Sequence, residues 1–271
     1  MTYDYKIIEK LLVGFLKNET NRIGLNKAVI GLSGGIDSAV SAYLAVKAFG
    51  PENVLCVMMP YKTSSKNSLT DAKKIIKDLG VRSKVVNISK PVDAYLNTLD
   101  GEVSNLRKGN VMARMRMIVL YDESAKENAL VIGTSNKTEL LLGYSTLFGD
   151  SACAINPLGD LYKTQIFELA KHLNVPVEVI DKKPSADLWE GQTDEEEMGI
   201  TYSMVDKFLY EKVDERRTDE ELAKMGFEKS FIEKINKMIS RNQFKRLPPL
   251  IAKVSNRTVN VDFRYNRDWN T

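Results

Sequence analysis

The sequence predicts an α/β fold: a doubly wound parallel sheet with helices on both faces, built as one domain over 1–271. Three observations predict it. Short apolar runs recur at 27–32, 54–61, 84–88 and 129–134, each the length of a buried strand. Segments with apolar residues at helical spacing separate them, the alternation expected of βαβ units joined by right-handed crossovers. Glycine stops close the helices, as at Gly50-Pro51 and Gly80. A chain of 271 residues with 43% apolar content can bury a core large enough for such a sheet.

Each element follows from its own pattern. The spacing in IIEKLLVGFL gives an amphipathic helix over 4–20. KAVIGL (27–32) is the first strand, and IDSAVSAYLAVKAF (36–49) is the helix after it. VLCVMMPY (54–61) and KVVNI (84–88) are strands on either side of a helix at 69–80. Residues 104–127 form a long helix, basic in its first half. ALVIGT (129–134) is the fourth strand, NKTELLLG a short helix, and 163–173 another, so the alternation is expected to run to about 180. Two helices follow near 201–213 and 228–242, then an irregular tail from about 243 with Pro248-Pro249. PSADLWEGQTDEEEMG (184–199) is polar, acidic and weakly periodic. It reads either as a solvated linker or as a mobile lid beside a site.

Composition narrows the function classes. Charged residues make up 28% and the net charge is only +3 with both signs interspersed, which does not argue for a nucleic-acid partner. No apolar run reaches the roughly 18 residues that a membrane span needs. The N-terminus lacks a basic stretch followed by a long apolar run, so no signal peptide is expected. Cys56 and Cys153 stand in no metal or redox spacing and read as core thiols in a reducing compartment. The expectation is a cytoplasmic protein with no membrane partner. His172 lies inside a helical pattern and is expected at the surface or at a helix end.

The chemistry concentrates in Ser33-Gly34-Gly35-Ile36-Asp37-Ser38, between the first strand and its helix. Ligands of open parallel sheets sit at the carboxyl ends of strands. There the first N–H groups of a helix lack partners, its dipole favours anions, and glycines let the backbone come close. The hydroxyls of Ser33 and Ser38 add possible donors. The lysine of a G-x-x-x-x-G-K-[ST] loop is missing, and Gly31, Gly34 and Gly35 do not fit G-x-G-x-x-G. A carboxylate at Asp37 would repel a phosphate unless Mg²⁺ lies between them.

SGGIDS resembles the SGGxDS motif of the PP-loop ATP pyrophosphatases, in which the loop holds the β,γ-pyrophosphate of ATP and reaction occurs at the α-phosphate. Further motifs, in order along the chain, are similar to those of the ammonia-dependent NAD synthetases. They are GNVMARMRM (109–117), GTSNKTE (133–139), Gly149-Asp150, NPLGDLYKTQI (156–166), PSADLW (184–189) and FKRLPP (244–249). The resemblance implies a Rossmann-like sheet of the adenine-nucleotide alpha-hydrolase type. It also implies ATP-dependent amidation of deamido-NAD (nicotinic acid adenine dinucleotide) by ammonia, via an acyl-adenylate, giving NAD, AMP and pyrophosphate.

Residue by residue, the resemblance assigns ATP to Gly31, Leu32, Ser33, Gly34, Gly35, Ile36, Asp37, Ser38, Thr134, Lys163 and Ser185. It gives Mg²⁺ to Asp37 and Glu139, each just past a strand end, from where two carboxylates can share one ion. Asp37, Glu139, Lys163 and Asp150 are the expected catalytic residues. On their own residues, Glu139 reads equally as an exposed helix glutamate, Thr134 as a helix cap, and Lys163 as a solvated lysine. Arg114 and Lys245 match deamido-NAD-binding positions, and Arg116 either binds there or pairs with an acid.

Three positions of the family's dinucleotide site depart from its pattern. Leu147 replaces a lysine, Ala154 an aspartate, and Phe244 the histidine of a late H-K-R, where an apolar or stacking contact is expected. Only 26 residues precede the first strand, fewer than the amidase domain of the glutamine-dependent form, so the expected nitrogen source is free ammonia unless a separate subunit supplies it. The resemblance also implies a homodimer, with which apolar faces on the 4–20 and 104–127 helices are compatible. Two other readings of the loop are a PP-loop tRNA-modifying adenylating enzyme and a non-catalytic adenine-nucleotide sensor. Paired cysteines and a basic face would favour the first; the second would not need Asp37, Glu139 and Lys163 together.

Overall fold

The parallel sheet runs in the order β3-β2-β1-β4, from β1 (Ala28–Gly31), β2 (Val54–Met58), β3 (Arg82–Val85) and β4 (Leu130–Val131). The structure is a computed structural model and describes residues 3–185 and 194–263. Register is set by Ala28 opposite both Val54 and Leu130, and by Leu55 opposite Arg82. The helices are α1 (Tyr5–Asn21), α2 (Ile36–Phe49), α3 (Lys66–Leu79), α4 (Ser89–Leu96), α5 (Asn105–Glu127), α6 (Lys137–Leu142) and α7 (Lys163–His172). Five more follow: α8 (Val177–Ile180), α9 (Asp194–Met198), α10 (Tyr202–Leu209), α11 (Asp219–Lys224) and α12 (Lys229–Arg241).

Side-chain alternation along the strands builds two covered faces. Ala28, Ile30, Val54, Cys56 and Met58 pack on one face with α1, α2, α3 and α7. Val29, Leu55 and Val57 face the other way, against Val119 and Leu120 of α5. The two sets explain why the strands read as continuous apolar runs. A second, smaller core joins α6, α10, α11 and α12. Phe208 meets Phe227 and Phe231 edge-to-face there, with ring centroids 5.3 and 5.4 Å apart.

The structure corrects three expectations. The third strand stops at Val85, and α4 follows from Ser89 where no helix was expected; Pro91 falls in its first turn, where proline is tolerated. The alternation does not reach 180: between Leu142 and Lys163 the chain is irregular apart from a parallel bridge, Ile132 to Ile155. The helix near 201–213 ends at Leu209 in a π-turn, Tyr210–Asp214, and α11 lies between it and α12, started by a capping box from Thr218 and Glu221. Within 184–199, Asp194–Met198 is helical and Asp194 is buried; residues 186–193 lie outside the described residues. From 243 to 263 the described chain holds a 3₁₀ turn at Gln243–Arg246 and an isolated bridge, Val259 to Phe263. Among the described residues no helix is long and apolar enough to cross a membrane.

Candidate active site

The loop after β1 lies at the carboxyl end of the sheet. Leu32 N–H still donates to Val57 C=O at 2.9 Å, then the chain turns away. Gly34 turns it, with φ +79; a Cβ there would sit 2.1 Å from the Ser68 carbonyl oxygen of α3. Ser38 Oγ donates to Gly35 C=O at 3.0 Å and lies 3.1 Å from Ser33 Oγ, while Gly35 N–H donates to Ser33 Oγ at 3.2 Å. The two hydroxyls therefore brace the loop in addition to facing the cleft. Gly35 is the N-cap of α2, so no side chain caps that helix beside the loop.

Asp37, in the first turn of α2, and Glu139, in the first turn of α6, meet across the ends of β1 and β4. Asn136 joins them. It caps α6 in a capping box: its N–H donates to Glu139 Oε2 at 3.2 Å, and its Oδ1 accepts from Glu139 N–H at 3.0 Å. Its Nδ2 donates to Asp37 Oδ1 at 2.9 Å. Lys163 enters from α7, pairs with Asp37 Oδ2, and lies 3.6 Å from Glu139 Oε1. The Lys163 side chain is only 2% exposed, and its ammonium stands 5.2 Å from the Tyr202 ring centroid. Its backbone is fixed as well. Lys163 N–H donates to Thr138 Oγ1 at 3.0 Å; Thr138 in turn donates to Asp206, which also accepts from Thr164 N–H.

Electrostatics follows from this burial. Burial, then the charge of Asp37, pushes the Glu139 carboxyl above the usual carboxylate range. Burial alone would lower the Lys163 pKa, but the charges of Asp37 and Glu139 outweigh it and raise it. Two carboxylates ionised together would outweigh one ammonium, and this imbalance adds to the burial that pushes Glu139 up. Asp194, 5% exposed, adds a third acid at the cleft, accepting from Tyr144 Oη at 3.2 Å and Tyr202 Oη at 3.1 Å.

A cleft of about 890 Å³ opens over these residues. Gly31, Leu32, Ser33, Gly35, Ile36, Asp37, Ser38, Thr134, Glu139, Asp150, Lys163, Ser185 and Lys245 all line it, as does Arg116. The exposed-glutamate and solvated-lysine readings of Glu139 and Lys163 therefore fail, and the cap of α6 is Asn136 rather than Thr134. Met58, Met59, Leu69, Met117 and Leu120 supply an apolar wall. Asp150 accepts from Thr146 N–H at 2.8 Å, and the surrounding protein raises its pKa. Lys245 donates to the carbonyls of Gly143 and Ser145, both at 2.6 Å.

Other expected site residues lie apart. Gly34 is turned toward α3. Arg114 donates from Nε and Nη2 to Leu147 C=O, both at 3.3 Å, and lines a separate 190 Å³ pocket with Tyr95, Arg107 and Asn110. Ala154 N–H is spent on Val131 C=O, and Phe244 is 58% exposed outside the cleft. Asn110 lines both pockets. His172 ends α7 and faces Glu9 at 2.9 Å, away from the cleft. Sequence reasoning missed Asn136, Lys182, Asp194 and Tyr202. Only Asn136 carried a readable signal, the Asn-x-x-Glu of a helix start.

The NAD synthase family model matches residues 7–249. The NH(3)-dependent NAD(+) synthetase of Chlorobium phaeobacteroides (strain BS1) is 55% identical over 266 residues, covering 98% of this chain and 96% of that one. Among solved structures, an NMN synthetase from Francisella tularensis superposes with a TM-score of 0.83 at 37% identity, covering 93% of this chain and 99% of that chain. The NH3-dependent NAD synthetase from Campylobacter jejuni gives 0.79 at 36% identity, covering 93% and 100%.

Proposed function

The chain belongs to the NAD synthase family, and from that premise we infer that it makes NAD from deamido-NAD, ATP and ammonia. One observation supports this reading above the others: Asp37, Glu139 and Lys163 converge beside the Ser33–Ser38 loop in one cleft. In the first step an oxygen of the substrate carboxylate attacks the α-phosphorus of ATP. The bond from that phosphorus to the bridging oxygen breaks, and pyrophosphate leaves with the electron pair. In the second step ammonia attacks the acyl carbon, AMP leaves, and one proton is released.

The loop and the start of α2 receive the β- and γ-phosphates, where glycines and helix N–H groups suit anions. Lys163 supplies a buried positive charge toward the phosphates, aimed by α7 and held by Thr138 and Asp206. The apolar wall from Met58 to Leu120 suits an adenine ring. Asp150, which also lines the cleft, is the candidate acceptor for the proton of ammonium. Arg114, Leu147, Ala154, Phe244 and Lys245 are the residues proposed to set the deamido-NAD contacts.

Asp37 and Glu139 fit a magnesium ion. They offer hard oxygen donors in one half-buried cluster, where a divalent ion would favour the ionised form of Glu139. Among the described residues no third acid joins them in a metal-binding group, so phosphate oxygens would complete the shell. Bound Mg²⁺ supplies charge neutralisation on the phosphoryl oxygens.

The test is one assay with ATP, Mg²⁺ and ammonium, following NAD, AMP and pyrophosphate. Equimolar formation of the three from deamido-NAD is expected, with little turnover when glutamine replaces ammonium. AMP and pyrophosphate without NAD would leave an adenylating enzyme with another acceptor. No turnover with ATP still bound would leave a sensor. The Francisella neighbour is named an NMN synthetase, so nicotinic acid mononucleotide is the competing acceptor to offer. A higher kcat/KM for the mononucleotide would move the substrate assignment to it.

A cytoplasmic homodimer is part of the same proposal. Leu106, Ile118 and Tyr121 of α5 are 68%, 53% and 40% exposed, a patch that a second copy would cover. Sedimentation is expected to give twice the chain mass. Ile118→Glu is expected to give a folded monomer; an unchanged dimer would place the interface elsewhere.

A further inference from the structure

Lys182 follows α8, three residues before Ser185. Its ammonium donates to Ser68 Oγ at 3.0 Å, pairs with Asp71 Oδ2 at 3.2 Å, and reaches the Gly34 carbonyl at 3.5 Å. Ser68 and Asp71 are buried on α3, whose backbone forces glycine at position 34. The Lys182 side chain is 28% exposed and lines the cleft beside Ser33, Gly35 and Ser185. The phosphate loop therefore lies between two ammonium groups: Lys163 at the Asp37 end and Lys182 at the Gly34 end.

The two are not equivalent. Lys163 is enclosed by Asp37 and Glu139, so its positive charge is already committed to them. Among the described residues Lys182 has one carboxylate partner, Asp71, and a flexible stem whose end is reachable from the cleft. A pyrophosphate group carries several negative charges, and the loop's N–H groups carry only partial ones. A second, movable cation at the Gly34 end answers that demand.

We propose that Lys182 contacts the β,γ-pyrophosphate of ATP and the pyrophosphate that leaves, with Asp71 holding the ammonium beside the loop between turnovers. The assignment rests on the ATP-cleaving reading of this cleft. It makes Lys182 a phosphate-contacting residue and Asp71 a positioning residue. The competing role is purely structural: a pin between the loop and α3.

The experiment is calorimetric titration of the full chain with inorganic pyrophosphate in magnesium-containing buffer, for wild type, Lys182→Met and Asp71→Asn. Titration with AMP, which lacks the β- and γ-phosphates, is the control. Lys182→Met is expected to weaken pyrophosphate about tenfold to a hundredfold, the worth of one charge-assisted hydrogen bond, and to leave AMP unchanged. Asp71→Asn releases the ammonium and is expected to bind pyrophosphate as tightly as wild type or more tightly. Undiminished pyrophosphate affinity in Lys182→Met would overturn the inference. So would weaker binding in Asp71→Asn, because a pin fails when either end is cut; that comparison decides even where Lys182→Met does not fold. Wild type that makes NAD but does not bind pyrophosphate would overturn the inference alone. Wild type that does neither would overturn the ATP-cleaving reading with it.

Discussion

Lys163→Met is expected to lower kcat for NAD formation by about 10²–10³-fold, the usual consequence of deleting one preorganised charge that faces a developing anion. The reason lies in the geometry. Lys163 is the only described lysine with its ammonium on both Asp37 and Glu139, and α7 delivers it there with its backbone tied to Thr138. Methionine keeps the stem and removes the charge, so packing survives. The two carboxylates then face each other without their counter-ion. Removing one partner of a buried pair costs about 3–5 kcal/mol, less whatever protonation of Glu139 recovers. Two readouts check this. The variant should melt below wild type, and Mg²⁺ should raise its melting temperature more than that of wild type, because a divalent ion restores the missing positive charge. Wild-type kcat in Lys163→Met would remove it from the chemistry. An equal Mg²⁺ effect in both proteins would place the metal elsewhere. Lys163→Arg is not expected to rescue, because a forked guanidinium does not fit a site that leaves lysine 2% exposed.

Gly34→Ala is expected to abolish measurable ATP binding, while Gly35→Ala is not. Gly34 has φ +79, and a non-glycine residue in the left-handed region costs about 1–2 kcal/mol from its backbone alone. The larger problem is the added Cβ, 2.1 Å from the Ser68 carbonyl oxygen. That oxygen belongs to helix backbone, so α3 or the loop must move. Either shift breaks the register among Ser33, Gly35 and Ser38 that shapes the cradle. At Gly35 the backbone is ordinary, and the nearest atom to a new Cβ is Ser33 Oγ at 3.3 Å, a side chain that can turn away. Calorimetry with ATP separates the two variants. Equal affinities would show that the loop tolerates movement at Gly34.

The distance from Asp37 to its partners explains how much of the site could be read in advance. The loop itself is a local message: β1, the glycine turn and the start of α2 are consecutive, and the spacing of Ser33, Gly34, Gly35 and Asp37 has one compact solution. Without the family resemblance, Glu139 was legible only as a glutamate just past a strand end. Its role depends on β4 lying beside β1, which pattern alone does not state. Lys163 reaches Asp37 across 126 residues of sequence, and Lys182 reaches Gly34 across 148. Neither contact leaves a periodic trace. Arg114 shows the converse: its motif was legible, but the structure aims its guanidinium at the Leu147 carbonyl beside a second pocket.

The sequence by itself determined the α/β class, the four strands near their observed positions, the phosphate-type turn and its aspartate. Each is encoded within a few neighbouring residues by apolar period, glycine freedom and helix-capping chemistry. It did not determine where the third strand ends, that α4 follows, or that no full fifth strand succeeds β4 among the described residues, because short segments take their state from what they pack on. Only the tertiary structure decided that two carboxylates would share one buried ammonium, that Asn136 would bridge them, and that Lys182 would stand at the opposite end of the loop. Those arrangements arise where the ends of β1 and β4, α3, α7 and the segment after α8 come together, and burial there makes each charge depend on partners that the chain supplies from far away.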